Sequence, residues 1–333
     1  MKALVTGATG FLGSTLVKTL LKKNCSIKCL VRNPKKLKWL ETLPVEIAEL
    51  PVEIVVGDCL DSSSLDFAVT DVDYVFHCAG LVRAIKPDDL YLTNVRGTKN
   101  LIEKVLDKNP NLKRFVYVSS QAAAGPSEEG RRKTEDEPAN PVSHYGYSKL
   151  LGELEVKKYN EKLPVTILRP SVIYGPQDKD VFVFFKFAQK GILPIPEEEK
   201  YISISFVSDI VDGLISSALS DIAKNKTYFI GDDTVFSLTE FCLLLKRIIN
   251  PETKIIQTPY FLYWLSAFFS ELSAKLTNKP AVLSFDKLKE IKQKNWLFSA
   301  AKAESDFGYL PKISLDEGIK ITYNWYKKEG WLK

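Results

Sequence analysis

The stretch Ala3-Leu4-Val5-Thr6-Gly7-Ala8-Thr9-Gly10-Phe11-Leu12-Gly13 decides the fold. Ala3–Thr6 is a short apolar run with strand character, and Leu16, Val17, Leu20 and Leu21 then recur with the period of a helix. A strand that breaks at Gly7 and re-enters a helix by Gly13 forms a cradle for phosphate. Gly7 permits the tight turn, Gly10 lets a pyrophosphate approach the backbone, and Gly13 lets the helix pack on the strand. The free N–H groups at the start of the helix then face the anion. The spacing GxxGxxG differs from the common GxGxxG fingerprint, yet opening a βαβ unit it points to a dinucleotide.

Outward from this turn, apolar runs at Ser26–Val31, Glu53–Val56, Tyr74–Cys78, Phe115–Ser119 and Val165–Leu168 alternate with helical stretches. Strands alternating with helices predict an α/β fold with a doubly wound, Rossmann-type parallel sheet. Ile202–Val207 and Thr227–Ile230 read as two more strands around a helix at Ser208–Leu219. The expected layout is a dinucleotide-binding domain over residues 1–170, to which segments near 202–231 return. Residues 171–201 and 232–333 then make a smaller, mostly helical substrate domain. Gly125–Pro141 is rich in proline and charge and reads as a loop, with Arg131, Arg132 and Lys133 on a solvated face.

With 45% hydrophobic and 26% charged positions among 333 residues, the chain has ample material for a core, which argues against disorder. The 46 basic and 41 acidic residues are mixed without a long basic block, which argues against a nucleic-acid surface. Met1 runs directly into the first strand without an export leader. The five cysteines lack CxxC pairing and mostly sit in apolar runs, so reduced thiols and a cytoplasmic setting are expected.

Further along, Gly57-Asp58 follows the third strand, Phe76-His77-Cys78-Ala79-Gly80 ends the fourth, and Asn94-Val95-Arg96-Gly97-Thr98 opens a helix. Leu168-Arg169-Pro170-Ser171-Val172-Ile173-Tyr174-Gly175-Pro176 closes the sixth. With Thr6–Gly13, these motifs in this order resemble the extended short-chain dehydrogenase/reductase superfamily across nearly the whole chain. The resemblance implies a nicotinamide cofactor held by Gly7, Thr9, Gly10, Phe11, Leu12 and Gly13. It extends the set to Asp58 at the adenine end, to Cys78, Ala79 and Gly80, and to Asn94 as a buttress. His77 reads as a satisfied buried histidine and is left out of the site.

The end of the second strand, Val31-Arg32-Asn33-Pro34, lacks the acid that NAD enzymes place against the ribose hydroxyls. Arg32 instead offers a guanidinium where a 2′-phosphate would sit, with Lys35, Lys36 and Lys38 behind it. This reading favours NADP, while Arg stacking on adenine leaves NAD open.

Tyr145 and Lys149 stand four apart at the start of a helix and so share one face. A phenol titrates near pH 10, and an adjacent ammonium together with a positive nicotinamide is expected to lower that value. Tyr145 would then exchange a proton with a substrate oxygen as hydride moves. The resemblance matches Ser120, at the end of the strand ending Ser119-Ser120, to the hydroxyl that steadies the substrate oxygen. It also implies that Tyr145 and Lys149 touch the cofactor, Lys149 at the ribose.

Gln121-Ala122-Ala123 stands where dehydratases of this type carry an Asp-Glu pair, which disfavours dehydration. Only Arg247 follows Arg169, a sparse supply of guanidinium for a substrate diphosphate, although lysines abound. Val181–Phe187 and Tyr260–Phe269 are aromatic and read either as pocket lining or as core. The pattern is closest to 3β-hydroxysteroid dehydrogenases and dihydroflavonol reductases, implying hydride transfer between NAD(P) and an apolar, sterol-like or polyketide-like alcohol or ketone. Nucleotide-sugar epimerisation is the alternative, and a non-catalytic cofactor sensor is disfavoured because Tyr145 and Lys149 are both present. The helix at 260–276 is too short to cross a membrane and reads as core or lid, or as a segment lying on a membrane surface. The family also implies a homodimer packed through the helix bearing Lys149.

Overall fold

Strand β1 (Lys2–Thr6) and helix α1 (Phe11–Lys22) flank the glycine turn, and β2 (Ser26–Val31) and β3 (Val52–Val56) follow. The computed structural model describes residues 1–37 and 52–332, so Lys38 lies outside the described residues. Next come β4 (Tyr74–His77), α2 (Gly97–Lys108), β5 (Arg114–Val118), α3 (His144–Lys157) and β6 (Val165–Pro170). Helix α4 (Val207–Leu219) leads to β7 (Lys226–Ile230). The seven strands form one parallel sheet in the order β7-β6-β5-β4-β1-β2-β3. Because the chain runs outward from β1 in both directions, the crevice for a ligand lies at the carboxyl ends of β1 and β4.

Burial explains why these segments became strands. Every residue of β5 and β6 is buried, the continuous pattern of central parallel strands covered on both faces. Leu16, Val17 and Leu20 of α1 pack with Ile210, Val211 and Leu214 of α4 on one face. Leu101, Ile102 and Val105 of α2 pack with Val156 of α3 on the other.

A separate cluster, including Tyr174, Phe185, Leu193, Phe241, Ile319 and Tyr326, forms the core of the later residues. Phe185 and Val181 are fully inside it and Phe182 and Phe184 pack against it, so the first aromatic stretch is mainly core. The segment expected as one strand at 202–207 splits into Tyr201–Ile202 and Ile204–Phe206, and neither joins the large sheet. The open edge of β6 is taken by β7, so Ile204–Phe206 pairs with Val172–Tyr174 instead. Gly125–Pro141 is irregular as expected, but Lys133 departs from the solvated reading. Its side chain is buried with Nζ donating to the Pro126 carbonyl at 3.4 Å, and its backbone bonds to Leu297 and Ser299.

Candidate active site

The glycine turn takes the shape that an anion requires. Gly7 adopts φ +72°, and a Cβ there would sit 2.8 Å from the backbone of Cys78 and Ala79. A Cβ on Gly13 would run into the Gly7 carbonyl, so β1, β4 and α1 meet at van der Waals distance only as glycine. Gly10 is the N-cap of α1, with no side chain capping it and no acid in the first turn. Uncapped N–H groups beside exposed Thr9 and Gly10 form a cradle that fits a pyrophosphate, with Phe11 and Leu12 half-buried behind it.

At the tips of β2 and β3, Arg32 and Asp58 face each other 3.9 Å apart, Arg32 largely exposed and Asp58 half-buried. Asp58 also accepts from Leu60 N–H at 3.0 Å, which holds its carboxylate at the rim.

Between β1 and β4 runs a directed chain of hydrogen bonds. Ala79 N–H donates to Thr6 Oγ1 at 3.1 Å, leaving the Thr6 hydroxyl to donate to His77 Nδ1 at 2.7 Å. His77 Nε2–H then donates to Thr98 Oγ1 at 2.9 Å, and Thr98 donates to the Asn94 carbonyl at 2.8 Å. Burial, aided by the nearby Lys149 charge, pushes His77 down to about 3, so the ring is neutral and structural. Burial likewise pushes the Cys78 thiol up to about 12 and keeps it protonated.

Asn94 lies in a π-helical turn over Leu92–Arg96 and is buried. Its amide bonds Leu81 in both directions, Nδ2 to the carbonyl at 2.9 Å and Oδ1 from N–H at 2.8 Å. Nδ2 also donates to Ser148 Oγ at 2.9 Å, and Ser148 donates to the Tyr145 carbonyl at 2.8 Å. The loop after β4 is thereby tied to α3, and Gly80 lies against both Asn94 and Lys149.

Ser120, two residues past β5, is the N-cap of a short helix and accepts from Ala122 N–H at 3.1 Å. Its hydroxyl also acts on the Tyr145 phenol, lowering its pKa, so the structure brings these two side chains near each other. The neighbouring Ser119 is turned away, donating to Glu153 Oε1 at 2.5 Å. Lys149 is buried, donates to the Val118 carbonyl at 2.6 Å and lies 4.4 Å above the Tyr117 ring.

The expected lowering of the Tyr145 phenol is not a property of this chain alone. Burial pushes it up to about 12, the Ser120 hydrogen bond pulls the other way, and the charges of Glu290 and Asp180 raise it further. Lys149 is aimed at Val118 rather than at the phenol. Burial also lowers Lys149 itself to about 8, against the charge of Glu153.

A consequence for stability follows from the depressed lysine. Below pH 8 both folded and unfolded chains hold the proton and burying the ammonium carries its full cost. Above pH 8 the native state releases it first, so stability rises with pH. Unfolding free energy is expected to gain about 1 kcal/mol per pH unit between roughly pH 8 and 10 relative to a Lys149→Met variant. Urea titrations of both proteins across that range check it, and parallel profiles would refute it.

Several site residues carry no local signal in the sequence. Helix α5 (Tyr260–Thr277) and helix α6 (Phe285–Lys292) lie more than a hundred residues downstream of α3. Yet Asp286 accepts from His144 N–H at 2.9 Å and Tyr145 N–H at 3.4 Å, and Glu290 accepts from Ser143 Oγ–H at 2.5 Å. These carboxylates anchor the first turn of α3 and complement its dipole. Arg83 bonds Asp180 and Lys287 bonds Glu290 nearby, adding charge around the phenol. Glu153 was findable, since 145, 149 and 153 continue one helix face at intervals of four. It accepts from Arg169 through both oxygens, at 2.9 and 2.7 Å.

Residues 3–231 match the pattern of the NAD dependent epimerase/dehydratase family. Ceramide reductase of Caulobacter vibrioides is 26% identical, over 98% of this chain and 95% of the relative. Sterol-4-alpha-carboxylate 3-dehydrogenase, decarboxylating, of Mus musculus is 25% identical, over 96% and 90%. The crystal structure of UDP-glucose 4-epimerase from Thermotoga maritima superposes with a TM-score of 0.79 at 22% identity, covering 99% of both chains. A glycine cradle at the β1/β4 crevice, an ordered seven-stranded parallel sheet and a family match over most of the chain agree: this protein is an enzyme of the NAD dependent epimerase/dehydratase family, within the extended short-chain dehydrogenases/reductases.

Proposed function

We propose that the protein is an NAD(P)-dependent oxidoreductase interconverting a secondary alcohol and a ketone on a largely apolar substrate. The observation that carries the reading is that the Ser120 and Tyr145 hydroxyls lie near enough for the serine to act on the phenol, beside buried Lys149. When bound, the nicotinamide supplies or accepts the hydride. Tyr145 gives its phenolic proton to the oxygen of the ketone as that oxygen gains charge, and recovers it from the alcohol in reverse. Ser120 donates to the same oxygen and steadies it. Burial keeps Tyr145 protonated, the state that carbonyl reduction needs. Lys149 and the Asn94-held loop would border the ribose, with Gly7–Gly13 on the pyrophosphate and Cys78–Gly80 lining the crevice. The exposed Arg32 guanidinium supports NADP as the preferred cofactor.

An apolar substrate is supported by the names of two relatives, a ceramide reductase and a sterol carboxylate dehydrogenase. Nucleotide-sugar epimerisation is the second reading, favoured by the structural likeness to a UDP-glucose 4-epimerase and by the cations Arg83 and Lys287, whose partners Asp180 and Glu290 act on the phenol. Both cations are already paired, with Asp180 and Glu290, which weakens them as diphosphate ligands. A homodimer packed through α3 is supported by exposed Tyr147, Leu151 and Leu154 on that helix and Leu92 beside it.

Nicotinamide absorbance tests the reading, with NADPH or NADH and separate panels of apolar ketones and UDP-sugars. Net oxidation of NADPH with an apolar ketone is expected, faster than with NADH. Interconversion of UDP-sugars with no net change in absorbance would instead establish the epimerase.

A further inference from the structure

Helix α5 is amphipathic and inside out. Phe261, Leu265, Phe268, Phe269, Leu272 and Leu276 recur at intervals of three and four along one face. That face is in solvent: Phe261 is 64% exposed, Phe269 58% and Leu276 81%. The opposite face carries the small and polar residues, and it is the one turned to the protein. Ala267 and Ala274 are buried, Ser270 Oγ accepts from Leu283 N–H at 3.4 Å, and Glu271 accepts from Phe285 N–H at 2.8 Å. Exposed Leu262, Trp264 and Val282 extend the surface. A contiguous apolar face of this kind marks an interaction surface.

We infer that α5 docks the enzyme onto the surface of a lipid bilayer. The helix contains a single acid, Glu271, and that carboxylate is turned inward to Phe285, while Lys275 and Lys279 stand exposed at the C-terminal end. An apolar face bordered by cations and free of outward acids complements anionic headgroups over acyl chains. Its aromatic content, with Tyr260, Phe261, Trp264 and Phe268 in the first half, suits the membrane interface. No described helix is long and apolar enough to cross a membrane, so α5 lies in the interface plane.

The surface is continuous with the site. The Trp264 ring packs 5.6 Å from Phe285, the first residue of α6, and the next residue, Asp286, holds the backbone of His144 and Tyr145. Resting on the oxidoreductase reading, this position would hold the side of the fold that carries Tyr145 close to a bilayer-resident alcohol or ketone.

Flotation of the full chain with vesicles of phosphatidylcholine, with and without phosphatidylglycerol, tests the inference. The wild type is expected to float, more so with phosphatidylglycerol, and its tryptophan emission to shift to the blue. A Phe261→Ser, Phe269→Ser, Leu272→Ser variant should bind vesicles at least tenfold less while unfolding at the same denaturant concentration, since these side chains bury little within the fold. The idea is overturned if the wild type stays in the aqueous fraction, whether as a monomer or as a dimer that the triple variant dissociates. Flotation needs neither cofactor nor substrate. Its failure would leave the oxidoreductase reading standing, and silence in the absorbance assay would leave flotation standing.

Discussion

Replacing Tyr145 with Phe is expected to lower kcat by roughly 10²–10⁴-fold, the range that a positioned proton donor contributes, while leaving cofactor affinity near the wild-type value. The ring would still fill its place at the start of α3, because the anchors there are backbone groups held by Asp286 and by the Ser143 cap. What disappears is the hydroxyl that lies near Ser120 and carries the proton. Steady-state nicotinamide absorbance measures the loss, and quenching of protein fluorescence by NADPH measures binding. A fall in cofactor affinity that matches the fall in turnover would assign Tyr145 to binding rather than to proton transfer. Turnover within a few-fold of the wild type would remove it from the chemistry.

Glu153→Ala is the substitution expected to cost most in stability, about 3–5 kcal/mol. Glu153 is fully buried, and its two oxygens take three hydrogen bonds, from Ser119 Oγ, Arg169 Nε and Arg169 Nη2. Alanine would leave the buried Arg169 guanidinium without this counter-charge, and its Nη1 already has no hydrogen-bond partner among the described residues. The loss should shift the urea midpoint strongly downward. Replacing both residues, Glu153→Met with Arg169→Met, should cost less than the single change, because the buried guanidinium is then removed together with its counter-charge. An unchanged midpoint for Glu153→Ala would show that the ion pair contributes nothing. The same carboxylate supports the Lys149 ammonium, so its removal should also lower the Lys149 pKa below about 8.

Much of the architecture was legible from local rules. The glycine turn, the six expected strands of the first half and the helix carrying Leu16, Val17, Leu20 and Leu21 follow from short-range sterics and hydrophobic period, which operate over a few residues. The spacing of Tyr145 and Lys149 on one helix face is equally local. Ile202–Val207 failed as a single strand because pairing is decided by which sheet edge is open, and β7 had taken that edge. Lys133 failed as a solvated cation because a bridge to Phe298 carries it inside.

The order of elements, the phosphate cradle and the candidate groups for proton transfer follow from local pattern, since each depends on residues within one turn or one strand of each other. How those groups are charged and held comes from long-range packing. Lys149 reaches the Val118 carbonyl rather than the phenol, burial raises Tyr145, and Asp286 and Glu290 anchor α3 from far along the chain. It also decided that the aromatic run at Val181–Phe187 serves the core while that of α5 faces outward. Desolvation and long-range partners are set by what packs against a residue, and composition alone does not specify which neighbour that is.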